Sequence, residues 1–360
     1  MPLVTPGIES LRPYEAGKPI EELARELGVT DAVKLASNEN PLGPSPRAVE
    51  AARAALTEAN RYPDAATYRL REKLAAHHRV GMNEVLPGNG SNELIELVIR
   101  TFTTTADHLV FAEPSFVVYR LAAVAHGTPF TAVPLRNETH DLDAMAEAVT
   151  ERTKLLIVAN PNNPTGTYVG RASLERLFRR LPSEVIVVMD EAYLEYADAA
   201  DYVGGLELRA LHERLISLRT FSKIYGLAGL RVGYAVGSAE LLGYMNRVRA
   251  PFNVNSIGQV AAMAALEDVE HVTRSREVNA RERARLFEAL GRFAGVRVVP
   301  SQTNFLFVDF ARDAREIYDA LLRLGVIIRP LGPLVTSARI TVGRPDENDR
   351  LLAALAQVLR

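Results

Sequence analysis

The stretch Thr220-Phe221-Ser222-Lys223-Ile224-Tyr225-Gly226-Leu227-Ala228-Gly229-Leu230-Arg231 sets a lysine between a hydroxyl pair and a downstream arginine. An amine so placed can form a Schiff base with an aldehyde, while the hydroxyl and guanidinium donors suit a phosphate carried by the same molecule. An isolated Ser-Lys pair would be a solvated surface feature, so the weight falls on two motifs upstream. Asn160-Pro161-Asn162-Asn163-Pro164-Thr165-Gly166 follows the apolar run 154–159, and Asp190-Glu191-Ala192-Tyr193 follows the run 185–189. Both runs read as buried strands broken by polar residues at their carboxyl ends, where open α/β sheets hold ligands. A carboxylate at the end of a core strand is costly unless paired. A protonated pyridine nitrogen would pair with Asp190, and Tyr193 would reach a phenolic oxygen on the same ring.

The elements that must position these residues follow from periodicity. Between 85 and 236, short apolar runs (85–88, 108–112, 130–133, 155–159, 185–189, 214–218 and 231–236) alternate with helix-length amphipathic stretches such as 92–102, 141–148 and 171–179. That alternation predicts a doubly wound, mostly parallel sheet of seven strands with helices on both faces. The remainder has a different rhythm: long helices over 256–266 and 271–290, strands over 296–299, 304–308, 326–329 and 338–342, a helix over 314–324 and a closing helix. This is an α+β pattern and predicts a second, smaller domain. The segment Gly88-Asn89-Gly90-Ser91-Asn92-Glu93 opens the first strong helix. Its small polar residues would serve equally as an N-cap or as a phosphate cradle at the positive end of the helix dipole.

The ordered set (N-P-N-N-P-T-G, D-E-A-Y, then T-F-S-K with G-L-A-G-L-R) resembles the fold-type I pyridoxal-phosphate aminotransferases, most closely the histidinol-phosphate aminotransferase family, from about Leu11 to the C-terminus. The resemblance implies pyridoxal 5'-phosphate on Lys223, with Ser91, Asn92, Ser222 and Arg231 around its phosphate and Phe116 stacked on its ring. It further implies Asn163 and Tyr193 at the ring oxygen and Asp190 at the ring nitrogen. Tyr14, Asn304, Arg329 and Arg339 match family positions lining the substrate pocket, where guanidinium forks suit a carboxylate or a phosphate. Tyr62, in Asn60-Arg61-Tyr62-Pro63, matches a tyrosine that crosses a two-fold axis to the neighbour's phosphate, which implies a homodimer. Residues 31–252 would then form the large cofactor-binding domain, and 1–30 with 253–360 the small one, the chain crossing at 251–255. One departure stands out: 330–337, before Arg339, lacks the Gly-Leu-Pro usual at that place in the family.

Composition excludes several other classes. With a formal net charge of −2 and pI near 6.4, the chain has no electrostatic footprint for nucleic acid or an anionic membrane. It contains no cysteine, which removes disulfides and thiolate chemistry, and no H-x-x-x-H arrangement that would hold a metal. The first ten residues lack the pattern of a signal peptide and no apolar run is long enough to span a bilayer, so a cytoplasmic enzyme is expected. The expected reaction is exchange of an amino group between L-histidinol phosphate and 2-oxoglutarate, giving imidazole acetol phosphate and L-glutamate. The same framework accommodates a phenylalanine or broad aromatic aminotransferase, or a threonine-phosphate decarboxylase. A non-enzymatic transcription regulator is disfavoured by the intact catalytic set.

Overall fold

The computed structural model describes residues 3–4, 6–13 and 17–360; the predicted pocket residue Tyr14 lies outside them. Seven strands build the main sheet: β1 Val85–Gly88, β2 His108–Glu113, β3 Phe130–Pro134, β4 Thr153–Ala159, β5 Ile186–Asp190, β6 Leu215–Thr220 and β7 Gly233–Gly237. Their order is β1-β7-β6-β5-β4-β2-β3. All pairings are parallel except those of β7, which runs against both β1 and β6. The central strands are buried on both faces, and alternate side chains feed opposite cores. Leu155, Ile157, Ile186 and Val188 pack with helices Gly90–Phe102, Val118–His126 and Ala239–Val248. Leu156, Val158, Val187 and Met189 pack with Leu142–Glu147 and Arg171–Arg180.

The antiparallel β7 decides where the chemistry sits. Because β6 and β7 pair as Thr220↔Gly233, residues 221–232 form a loop that leaves and re-enters the sheet at the carboxyl edge of the parallel strands. The ends of β1, β2, β4 and β5 open at that same edge. The sequence reads β7 as starting at Arg231. In the structure a single-turn helix, Ala228–Leu230, places Arg231 in the left-handed region (φ 55°), and the strand begins two residues later.

A second sheet orders four antiparallel strands, β8 Arg297–Val299, β9 Phe305–Asp309, β10 Arg329–Pro330 and β11 Ser337–Thr341, as β10-β11-β9-β8. Leu306, Val308 and Ile340 share a core with Leu286 and Leu290 from helix Val269–Leu290, Ile317 and Leu321 from Ala314–Arg323, and Leu351 and Leu355 from Pro345–Val358. Leu23, Leu35 and Ala36 from early in the chain enter the same core. The apolar run 326–329 divides in two: Val326–Ile327 pairs in parallel with Val33–Lys34, while Arg329 pairs with Arg339. A third core lies between the two sheets, where Tyr193, Phe221, Tyr225 and Phe305 meet the alanine-rich helix Ser256–Glu267, which also packs across helix Pro46–Ala55.

Leu156 is fully buried at the middle of β4. Its truncation to alanine is expected to lower the unfolding free energy by about 3 kcal/mol, read from the shift of the chemical-denaturation midpoint.

Candidate active site

One cleft at the carboxyl edge gathers side chains from several separate segments. Ser91 and Asn92, Phe116 and Tyr119, Asn163, Asp190 and Tyr193, Thr220, Ser222 and Lys223, and Arg231 come from the carboxyl edge of the main sheet; Ala36, Ser37, Asn38 and Arg339 face them from the other side. Of the residues predicted from sequence, Ser91, Asn92, Phe116, Asn163, Asp190, Tyr193, Ser222, Lys223, Arg231 and Arg339 all line it.

Lys223 Nζ donates to Ser37 O at 3.3 Å and lies 5.6 Å from the centre of the Tyr193 ring. Burial, reinforced by the positive charges of Arg339 and Arg231, pushes its amine down from 10.5 to about 7 against the opposing pull of Glu39 and Asp190. A substantial fraction is therefore the neutral nucleophile at neutral pH. Asp190 is buried, and burial raises its carboxyl above the usual range. The Tyr119 hydroxyl opposes this by donating to Oδ2 at 2.6 Å, and Ala192 N donates to Oδ1 at 3.3 Å. No hydrogen bond joins Asp190 to Lys223 among the described residues.

An anion cup opens beside the lysine. Arg231 Nη1 donates to Ser222 Oγ at 3.3 Å, and a Cβ at Gly90 would lie 2.5 Å from Arg231 Nη2. Gly90 has φ +76°, so a residue without a side chain is required there both by conformation and by the approach of the guanidinium. Helix Gly90–Phe102 begins at this point, with Asn89 at its N-cap; the Asn89 side chain makes no capping bond, and the Asn89 backbone N–H is taken by Glu93 Oε2 at 2.6 Å. Its amino end thus presents donors and positive potential to the cup, as an anion requires. The loop after β4 sorts its three asparagines by their partners. Asn160 is bonded to Val169 in both directions, Asn162 holds Thr165 Oγ1 and accepts from Ser115 Oγ at 2.7 Å, and Asn163 faces the cleft. Asn163 Oδ1 accepts from Arg339 Nη1 at 2.6 Å, and Arg339 Nη2 donates to Ala36 O at 2.8 Å. The face of Phe305 lies under the Arg339 guanidinium at 5.4 Å.

This donor set suits the group that the sequence implies. An anion cup, a buried acid with only neutral donors on it and a deprotonable amine match a phosphate, a protonated ring nitrogen and an aldehyde respectively.

The other predicted residues lie elsewhere. Asn304 is buried behind the cleft, its amide donating to Asn38 O at 3.0 Å. Arg329 is half-buried as the cross-strand partner of Arg339 and is not among the described lining residues. Tyr62 is 83% exposed, stacked on Phe252 with ring centres 4.7 Å apart and away from this chain's own cleft. Sequence reasoning passed over Tyr119, although it stands in the first turn of a helix just after Phe116. It also passed over Asn38, which sits in the polar break Ser37-Asn38-Glu39-Asn40 after the apolar pair Leu35-Ala36. The buried ion pair of Glu191 with Arg219, 3.1 Å apart behind Asp190, had no signal beyond the adjacency of Glu191 to the motif carboxylate.

The chemistry open to this cleft is that of an enzyme working through a lysine amine beside an anchored anionic group. Residues 30–355 match the family described as aminotransferase class I and II, and the chain belongs to it. A histidinol-phosphate aminotransferase of Pseudomonas aeruginosa is 49% identical over 99% of this chain and 98% of its own length. One from an Anaeromyxobacter species is 48% identical over the whole of both chains. Among solved structures, histidinol-phosphate aminotransferase from Sinorhizobium meliloti in complex with pyridoxal-5'-phosphate is 30% identical, with a TM-score of 0.91 over 100% of this chain and 98% of that one.

The depressed proton affinity of Lys223 carries a stability signature. Between about pH 7 and 10.5 the unfolded chain binds more protons than the folded one, so the cofactor-free protein gains stability as pH rises through that window. Replacing Lys223 by methionine removes the penalty. The variant is expected to be more stable than the parent below pH 7 by up to about 5 kcal/mol, at about 1.4 kcal/mol per pH unit, with the difference vanishing near pH 10.5. Chemical denaturation of the two cofactor-free proteins across this pH range measures it.

Proposed function

We propose that the protein is a pyridoxal-phosphate-dependent aminotransferase that converts L-histidinol phosphate and 2-oxoglutarate to imidazole acetol phosphate and L-glutamate. The observation that carries the reading is the convergence of Lys223, Asp190 and Arg339 on one cleft, in a chain nearly half identical to histidinol-phosphate aminotransferases over its full length.

When bound, the cofactor supplies an aldehyde for the exchange of amines and a protonated ring that accepts electron density from the substrate carbon. Ser91, Asn92, Ser222 and Arg231 would hold its phosphate, Phe116 would lie against its ring, and Asn163 and Tyr193 would serve its ring oxygen. Asp190, buried and ionised against the ring nitrogen, keeps that nitrogen protonated. Tyr119 holds Asp190 Oδ2 and the Ala192 amide donates to Oδ1, so the carboxylate is fixed in orientation for that pairing. Lys223 carries the cofactor at rest. Its Nζ, as a neutral amine, would also be the group to take up and hand back a proton at the substrate carbon, for which its reduced basicity suits it. Arg339 presents a two-pronged donor to the substrate's anionic group, with Arg329 beside it across the strand pair. Glutamate brings a carboxylate and histidinol phosphate a phosphate ester on the corresponding carbon, so one clamp serves both half-reactions. Asn304 supports the pocket through the Asn38 carbonyl.

The enzyme works as a homodimer in this reading, with Tyr62 reaching the partner's phosphate; the exposed aromatic pair Tyr62–Phe252 is the surface feature that supports it. Residues 31–252 act as the cofactor-binding domain, with 1–30 and 253–360 as the smaller one. The location is cytoplasmic; among the described residues no helix is long and apolar enough to cross a membrane.

Protein reconstituted with pyridoxal phosphate should lose its visible absorbance rapidly when mixed with L-histidinol phosphate, and at least about tenfold more slowly with L-phenylalanine. Comparable rates with phenylalanine place the enzyme in the aromatic class instead. Arg339→Lys loses the fork while keeping the charge. It is expected to weaken substrate use about 10- to 100-fold, chiefly through KM, as steady-state kinetics would show.

A further inference from the structure

Asn38 is fully buried, holds a left-handed backbone conformation (φ 57°) and lines the cleft, yet nothing in the reaction uses it directly. Its hydrogen bonds have determinate directions. The backbone N–H of Asn38 donates to Thr341 Oγ1 at 2.9 Å, so the Thr341 hydroxyl keeps its own proton to give to Asn38 Oδ1 at 3.1 Å. That fixes which end of the amide is which: Nδ2 turns to Tyr193 and donates to its phenolic oxygen at 2.9 Å. An oxygen that accepts in that bond can give its single proton only to a different partner.

We propose that Asn38 is a positioning residue that makes Tyr193 a hydrogen-bond donor to the cofactor's ring oxygen, and that Thr341 fixes the sense of this relay. The proposal rests on the function assigned above to Tyr193. It also gives the relay a place between the two sheets. Tyr193 follows β5 of the main sheet, Thr341 ends β11 of the second, and the Asn38 carbonyl is held by Asn304 just before β9. The donor direction at the cofactor is therefore set by how the second sheet seats against the first. Asparagine suits the position twice over. Its short side chain tolerates the left-handed backbone, and its amide carries a donor and an acceptor at opposite ends of one rigid group.

A donor on the ring oxygen stabilises negative charge there and weakens the oxygen's hold on a neighbouring proton, so losing the donor moves the titration of the bound cofactor to higher pH. The test is the pH midpoint of the visible absorbance of pyridoxal-phosphate-loaded protein in four variants. Asn38→Gly removes the amide while accepting the same backbone conformation, and Thr341→Val removes the hydroxyl at constant shape. Tyr193→Phe removes the phenol, and the fourth variant combines Asn38→Gly with Tyr193→Phe. Tyr193→Phe is expected to raise the midpoint by about one pH unit, and Asn38→Gly by at least about half as much. Thr341→Val should move it in the same direction by less, and the double variant should go no further than Tyr193→Phe alone. A wild-type midpoint in both Asn38→Gly and Thr341→Val overturns the inference, as does full additivity in the double variant, which a merely structural role produces. A wild-type midpoint in Tyr193→Phe overturns the parent assignment of Tyr193 and the inference with it. Thr341→Val lies outside the cleft lining and keeps the test open should Asn38→Gly fail to fold.

Discussion

A buried amine and a buried carboxylate share one cleft and must not neutralise each other. A direct Lys223–Asp190 ion pair would raise the lysine's proton affinity and occupy the acid, leaving neither group available. The structure keeps them apart by giving each its own neutral partners: the Ser37 carbonyl for the amine, and the Tyr119 hydroxyl with the Ala192 amide for the carboxylate. Two guanidinium groups, of Arg339 and Arg231, then bias the local field toward the neutral amine. This arrangement is stored strain of an electrostatic kind, held in place by the rest of the fold.

The topology supplies what the separation needs. Parallel strands β4, β5 and β6 end side by side, which sets Asn163, Asp190 and Ser222 in neighbouring loops. The reversed β7 returns the chain at the same edge and brings Arg231 to the amino end of helix Gly90–Phe102. Arg339 arrives from a different sheet altogether, and its bonds to Asn163 and Ala36 close the cleft across the two bodies. The charge that acts most strongly on Lys223 is thus carried by the second sheet.

Much of this was legible in the chain because strand ends are marked by chemistry. The apolar runs 155–159, 185–189 and 214–218 located the parallel strands and the loops they feed, and each of the seven strands of the main sheet overlaps a run that alternation predicted. What stayed hidden was contact between segments far apart in sequence. Nothing local marks Tyr119 as the partner of Asp190, or Asn38 as the link between Tyr193 and Thr341, because those contacts exist only once the sheets are stacked. The run 326–329 failed for a related reason: a continuous apolar stretch cannot show that its two halves pair with different strands. Loops obeyed the same limit, since Arg231 reads as strand in composition but turns in space.

The central claim is that Lys223, buried in the cleft with its proton affinity lowered, is the lysine that holds the cofactor. Borohydride reduction of the pyridoxal-phosphate-loaded protein, followed by peptide mass spectrometry, asks this directly. The account predicts the reduced cofactor on the peptide containing Lys223, with Lys18, Lys34, Lys73 and Lys154 unmodified at stoichiometric loading. Attachment at any of those four in place of Lys223 would contradict it.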